Sequence, residues 1–210
     1  RDVNHSSVVM WSLGNECGGG DNFHACYAEA KRLDPRPVHY EGTRAGYSYG
    51  GQIASDLYSK MYPNMDWMEE YTSGLDKPMF LCEYAHAMGN AVGNLQDYWN
   101  IIEGSNYGIG GCIWDWVDQS IYDPQAIKSG ELEKNGFPVY TTGYDYPGPH
   151  QGNFVNNGLV AADRAWSPEL TNVKYVYQYI KFESFDASAK KLTIKNDYDF
   201  ISLDKFYLKY

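Results

Sequence analysis

Two glutamates stand where short apolar runs end. Ser7-Val8-Val9-Met10-Trp11-Ser12-Leu13 closes on Gly14-Asn15-Glu16, and Met79-Phe80-Leu81-Cys82 leads straight into Glu83. A third run, from Ile109 to Ile113, ends in Trp114-Asp115-Trp116. Runs this short and this apolar, too short for a helix, read as strands buried on both faces. In parallel α/β barrels, the residues that do chemistry gather where strands finish and loops begin. Two carboxylates on one such face can flank a glycosidic bond. One protonates the leaving oxygen while the other attacks the anomeric carbon. The acid in such a pair needs a raised pKa, which the partner's charge and partial burial provide. Strand-end acids are also common as helix caps and solvated loop residues, so the pair alone does not decide its role.

The segments between these runs must position them. Phe23, Cys26, Tyr27 and Ala30 are spaced for a helix over Asp21 to Arg32, closed by Asp34-Pro35. Pro37 to Glu41 reads as a strand, followed by a Gly/Tyr/Ser-rich loop from Gly42 to Gly51. Asp56 to Met61 is a weaker strand and Asp66 to Tyr71 a short helix. Leu95, Tyr98, Trp99 and Ile102 are spaced for another helix, and Ile109 to Trp116 follows as a strand. Short apolar strands alternating with helices predict a parallel α/β sheet. Asp118 to about Ala165 has no period, and a stretch that long inside a domain is functional or packs against something else. Lys191 to Lys195 and Phe206 to Leu208 alternate apolar and polar, which suits half-exposed antiparallel strands. An α/β unit over residues 1–180 and the start of an all-β domain over 181–210 are therefore expected.

Composition narrows the function classes. A net charge of −10 argues against nucleic acid as a partner, because binding a phosphate backbone needs clustered Lys and Arg. No stretch approaches the roughly 20 apolar residues of a membrane span. The chain opens on Arg1-Asp2-Val3 and reads as an internal piece, which leaves cytoplasm and periplasm both open. Cys17, Cys26, Cys82 and Cys112 lack zinc-site spacing and read as small core residues or free thiols. His5, His24, His39 and His150 have no metal-like spacing and are taken as structural. The 20 tyrosines and 6 tryptophans suit stacking on sugar faces, and equally suit an ordinary half-wet interface.

Four local blocks decide between these readings. Trp11-Ser12-Leu13-Gly14-Asn15-Glu16 resembles the acid/base signature of glycoside hydrolase family 2. Leu81-Cys82-Glu83-Tyr84-Ala85-His86-Ala87-Met88-Gly89-Asn90 resembles the nucleophile segment of the family's large bacterial β-galactosidases. Trp114 to Ser120 and Asn157 to Arg164 are similar to two further blocks, in the same order and at comparable spacing.

The resemblance implies a (β/α)8 TIM barrel of which this chain holds strands four to eight, followed by the beginning of a β-sandwich domain. It implies a retaining reaction on terminal β-D-galactose, with Glu16 as acid/base and Glu83 as the nucleophile that forms a galactosyl-enzyme intermediate. Asn15 would bond the sugar 2-hydroxyl, Tyr62 the nucleophile, and His86 the ring hydroxyls, while Trp114 would floor the sugar. Trp116 is the alternative floor, since neighbours along a strand face opposite ways. Phe154, through its carbonyl, and Asn157 match a stretch that holds sodium near the galactose 6-hydroxyl. Glu16 matches a magnesium ligand whose companions lie outside this sequence. A β-galactoside substrate and a homo-oligomeric parent enzyme are implied as well. Glu41 fits either a carboxylate supporting the site or a solvated loop acid.

A β-glucuronidase or β-mannosidase of the same family is the nearest rival, and a non-catalytic carbohydrate-binding piece the rival from another class. Half a barrel leaves open sheet edges and an uncovered apolar face. The isolated 210-residue chain is accordingly expected to self-associate in light scattering and to leave nitrophenyl galactosides intact; hydrolysis by contaminant-free material would overturn that expectation.

Overall fold

The structure, a computed structural model, describes residues 1–42, 54–72, 74–131, 133, 134 and 137–209. From Thr43 onward, the Gly/Tyr/Ser-rich loop expected after Glu41 lies outside the described residues. The first two thirds alternate strand and helix: β1 (Trp11–Ser12), α1 (Asp21–Leu33), β2 (Val38–His39), β3 (Tyr58–Met61), α2 (Met65–Tyr71), β4 (Met79–Tyr84), α3 (Leu95–Gly104) and β5 (Gly108–Ile113). β1 pairs with β2, β3 with β4, and β4 with β5, every pair parallel. Asp56 bridges the two sheets. Its amide donates to the Val38 carbonyl at 2.7 Å, and its carboxylate accepts the Val38 amide at 2.8 Å. Tyr27 donates to the same carboxylate at 2.5 Å and Lys31 at 3.0 Å, which ties α1 to this junction.

Beyond β5, Trp114–Asp118 runs beside Asn157–Val160, joined by Asp115 N–H to the Asn157 carbonyl at 2.8 Å and Asp118 N–H to the Val160 carbonyl at 2.9 Å. The strands form an open parallel array and do not close into a barrel among the described residues.

The core lies on the helix side of β4. Met79, Leu81 and Tyr84 pack against Met68 of α2, Leu95 and Ile102 of α3, and Val173 and Val176 of α5 (Pro168–Val176). Trp99 Nε1 donates to the Tyr84 hydroxyl at 2.9 Å, and that hydroxyl also meets Tyr177, so a buried phenol ties α3 and the end of α5 to the central strand. The sequence reading passed over α5, although Ser167 caps it by accepting the Leu170 amide and Pro168 opens it, a start signal visible in the residues.

Two expectations change. Ser7–Leu13 was read as a strand buried on both faces, yet only Trp11–Ser12 pairs and Val9 is 71% exposed. β1 is paired with a strand on one edge alone among the described residues. Of the two readings open for the cysteines, the free-thiol one holds, Cys82 being half-buried and the others exposed. At the C-terminus, β9 (Lys191–Asn196) is the expected antiparallel strand, and its partner is β8 (Ile180–Asp186), which the alternation pattern does not signal. Phe206–Leu208 is not a strand: it follows a 3-10 turn at Leu203–Lys205, and Tyr207 is 89% exposed, with no ladder partner to fix it. The long stretch after Asp118 contains a short helix α4 (Pro124–Lys128) and a small hairpin of β6 (Glu133–Lys134) and β7 (Phe137–Pro138).

Gly158 lets Asn157–Val160 approach Trp114–Asp118. A Cβ there would stand 2.1 Å from the Asp118 nitrogen and 2.6 Å from the Val160 carbonyl oxygen, both backbone atoms that cannot rotate away. Gly158→Ala is expected to cost at least about 2 kcal/mol, by the general cost of overpacking, read as a lowered denaturant midpoint.

Candidate active site

In a parallel array all C-terminal strand ends share one edge, and the candidate residues lie along it. Glu16 follows β1 by four residues, Glu41 follows β2 by two, Tyr62 directly follows β3, Glu83 lies in the last residues of β4, and Trp114 directly follows β5. Three positions just past or near these ends have left-handed backbone: Glu16 at φ 50°, Tyr62 at φ 43° and Ala85 at φ 50°. Residues with a Cβ adopt it only when their surroundings hold them there, and such strain clusters at functional sites. The restraints are visible. Glu16 N–H donates to Glu41 Oε1 at 2.5 Å. Tyr62 N–H donates to the Glu83 carbonyl at 2.9 Å, and Ala87 N–H to the Trp114 carbonyl at 2.9 Å.

The Tyr62 hydroxyl donates to Glu83 Oε2 at 3.1 Å. Burial, then the Glu83 charge and this hydrogen bond, then Cys82 and Glu16 push the Tyr62 pKa well above the usual phenol range. The phenol is therefore a proton donor fixed on the Glu83 carboxylate, close enough to Glu16 to feel its charge. His86 stands beside it, with ring centroids 6.0 Å apart, and the Phe154 ring lies 5.3 Å beyond. Asn157 is 1% exposed and its Nδ2 donates to the Phe154 carbonyl at 2.8 Å. Asn157 Oδ1 and His86 Nε2 are buried without a protein partner. Buried polar atoms are seldom left unpaired, and two of them along one connected chain of contacts mark where a ligand's polar groups fit.

The structure thus brings Glu83, Tyr62, His86, Phe154 and Asn157 together by contact, and Glu16 to Tyr62 through its charge. Trp114 is half-buried and joined by its backbone, its amide donating to the Tyr84 carbonyl at 3.1 Å; Trp116 is largely exposed. Asn15 is exposed beside Glu16, its carbonyl accepting the Cys17 thiol at 2.9 Å.

The sequence left Glu41 open, and the structure removes the solvated-acid reading: it is 6% exposed and holds the Glu16 amide. Asp115 was missed as a separate site residue. Its Oδ2 accepts Gln119 Nε2 at 2.8 Å while Oδ1 is buried and unpartnered, and its place between two tryptophans was the available signal. His39 is structural as expected, bridging Ser12 at 3.0 Å and Ser59 at 2.9 Å, with burial lowering its pKa. Among the described residues, no group of three or more His, Cys, Asp and Glu side chains gathers as a metal site. No helix among them is long and apolar enough to cross a membrane.

With that geometry in hand, comparison with known proteins is decisive. Residues 1–182 match the family described as "Glycosyl hydrolases family 2, TIM barrel domain". The chain belongs to glycoside hydrolase family 2. It is 40% identical over 209 residues to a β-galactosidase of Priestia megaterium, a match covering 98% of this chain and 19% of that protein. A β-galactosidase of Staphylococcus xylosus is 39% identical, with 97% of this chain and 20% of the relative covered. The chain therefore spans about a fifth of the length of the curated relatives it matches. Among solved structures, a family 2 member from Bacteroides cellulosilyticus matches with TM-score 0.55 at 18% identity, covering 86% of this chain and 21% of that one. A family 2 β-galacturonidase from Eisenbergiella tayi matches with TM-score 0.54 at 20% identity, covering 84% and 34%. At such identities the structural likeness speaks for the fold.

A phenol whose pKa is raised in the folded state adds stability below the ordinary tyrosine pKa, and that stability is lost as pH rises through the raised value. Tyr62 should accordingly stay protonated at about pH 11, above the ordinary phenol value. Tyr62→Phe is expected to leave the phenolate absorbance at that pH unchanged in a spectrophotometric titration, and a drop of one tyrosine's absorbance would contradict the assignment.

Proposed function

We propose that this chain is the second half of the catalytic barrel of a retaining β-galactosidase, carrying strands four to eight over residues 1–180, with residues 181–210 opening a β-sandwich domain. The family match over residues 1–182 and the hairpin that begins at Ile180 support the division. The names of the curated relatives, at 36–40% identity across nearly all of the chain, favour galactose over the uronic acids. The contact that carries the chemical reading is the Tyr62 hydroxyl on Glu83, under the charge of Glu16.

In the first step a Glu83 oxygen attacks the anomeric carbon. The bond from that carbon to the leaving oxygen breaks, and Glu16 gives its proton to the departing alcohol. Tyr62 keeps the attacking carboxylate in one orientation. In the second step Glu16, now a base, takes a proton from water, whose oxygen displaces Glu83 and releases galactose. Asn15 meets the 2-hydroxyl, His86 donates to or accepts from ring hydroxyls through its unpartnered Nε2, and Trp114 offers an apolar face to the sugar.

The fold family implies cations. The buried free Oδ1 of Asn157 and the carbonyl of Phe154 are hard oxygen ligands that fit sodium, which would supply a positive anchor for a sugar hydroxyl. Glu16 is the one residue here assigned to magnesium, so this chain supplies one ligand and the remainder of a longer polypeptide the others. A homo-oligomer is the proposed assembly of that polypeptide.

The test is labelling of the full-length polypeptide with 2-deoxy-2-fluoro-β-D-galactosyl fluoride followed by peptide mass spectrometry. The fluorosugar should be found on Glu83, and Glu83→Gln should abolish both labelling and turnover while leaving galactose binding largely intact. A label on another carboxylate, or turnover by Glu83→Gln, would overturn the assignment. A panel of nitrophenyl glycosides on the same protein separates galactoside from glucuronide and mannoside specificity.

A further inference from the structure

The stretch Gly14–Gly20, which carries Glu16, has neither helix nor strand, and Glu16 itself sits at φ 50°. A segment of this kind does not fix its own shape, so the orientation of the Glu16 side chain is decided by what grips the backbone around it. Two consecutive residues past β2 do so. Glu41 Oε1 accepts the Glu16 amide at 2.5 Å, a short charge-assisted bond. Tyr40 donates its hydroxyl to the Gly18 carbonyl two residues later. Tyr40 is in turn fixed by Phe23 of α1, which stacks on its ring at 4.0 Å. Tyr40 thus grips the loop at Gly18 while Glu41 grips it at Glu16. Both residues are buried. A carboxylate out of water is costly unless its oxygens are bonded, and among the described residues this carboxylate holds the backbone of the candidate acid/base.

We infer that Glu41 is a positioning residue for acid catalysis: it holds the Glu16 backbone so that the Glu16 carboxyl reaches the leaving oxygen, without itself touching the sugar. The inference rests on Glu16 being the acid/base. It separates from a merely structural role by leaving-group dependence, because an alcohol that departs easily needs little protonation and one that departs poorly needs all of it.

The experiment measures kcat/KM, which reports the galactosylation step alone, for the full-length polypeptide across aryl and alkyl β-galactosides of graded leaving-group pKa. Glu16→Gln serves as the reference. Glu41→Ala is expected to lose about 10²-fold on alkyl galactosides, within the range general acid catalysis contributes, and less than about fivefold on the 2,4-dinitrophenyl substrate. Glu41→Gln, which keeps an acceptor oxygen for the Glu16 amide, should recover most of the loss. Should Glu41→Ala fail to fold, Glu41→Asp draws the acceptor back by one methylene and carries the same test. A uniform loss across all substrates, or no loss, overturns the inference while leaving Glu16 as the acid. Absence of a leaving-group gradient in Glu16→Gln overturns both.

Discussion

The parallel ladder on either side of β4 dictates where Tyr62, Glu83 and Trp114 lie. β4 is hydrogen-bonded to β3 on one edge and to β5 on the other, and its helix-facing residues Met79, Leu81 and Tyr84 anchor the core. Because the neighbours run the same way, their C-terminal ends emerge at one edge, and residues far apart in sequence arrive there without any long-range contact of their own. Tyr62 and Glu83 are 21 residues apart yet share a hydrogen bond, since β3 and β4 end level with each other. A register slip of one residue would carry Leu81 and Tyr84 out of the core and Glu83 out of line with Tyr62. Leu81 and Tyr84, buried against α3 and α5, oppose that slip with the whole core.

Stability and site construction are divided between the two faces. The helix side is held by apolar packing and by the Tyr84 hydroxyl, which meets Trp99 and Tyr177. The strand-end edge is held by polar contacts: Glu41 to the Glu16 amide, Tyr62 to Glu83, and Asn157 to the Phe154 carbonyl. Those contacts satisfy backbone groups that have left the ladder and side chains that cannot pack, and they tolerate left-handed backbone at Glu16, Tyr62 and Ala85. The Glu83 carboxylate is met by a neutral phenol, which donates to it. Burial first, and then the Glu83 charge and this hydrogen bond, keep that phenol protonated, so donor and acceptor reinforce one another.

Much of this was legible in the residues, and the exceptions have physical causes. The strand ending at Glu83 was readable because its apolar run reflects burial beneath helices, whereas the run before Trp114 marks a strand although only Gly110 of it is buried. The run before Glu16 looked the same and misled, because composition reports what a strand is built to bury and not whether its neighbour is at hand. Glu41 could not be placed from sequence, since a strand-end acid reads alike whether it meets water or a backbone amide 25 residues earlier. Asp115 was overshadowed by the tryptophans on either side of it, although its buried free oxygen is of the same kind as that of Asn157. Phe206–Leu208 shows the converse error: alternation satisfies one requirement of a strand, but the ladder partner is the other.

The long segment after Asp118 closes the argument about what completes the site. Asn157 is drawn in by two backbone bonds to Asp115, by way of its own carbonyl and the Leu159 amide, and this places the Phe154 ring against His86. The segment therefore returns from a 40-residue excursion to add a second layer over the β4 and β5 ends, and Gly158 is the point where the backbones approach closest. Phe154 and His86 are coupled through this return, so any change that lifts Asn157–Val160 away from Trp114–Asp118 moves the aromatic wall beside Tyr62 along with it. The aromatic wall beside Tyr62 thus includes a ring from a loop whose sequence has no period. Its bonds are made to strand-end backbone, which leaves no trace in hydrophobic pattern.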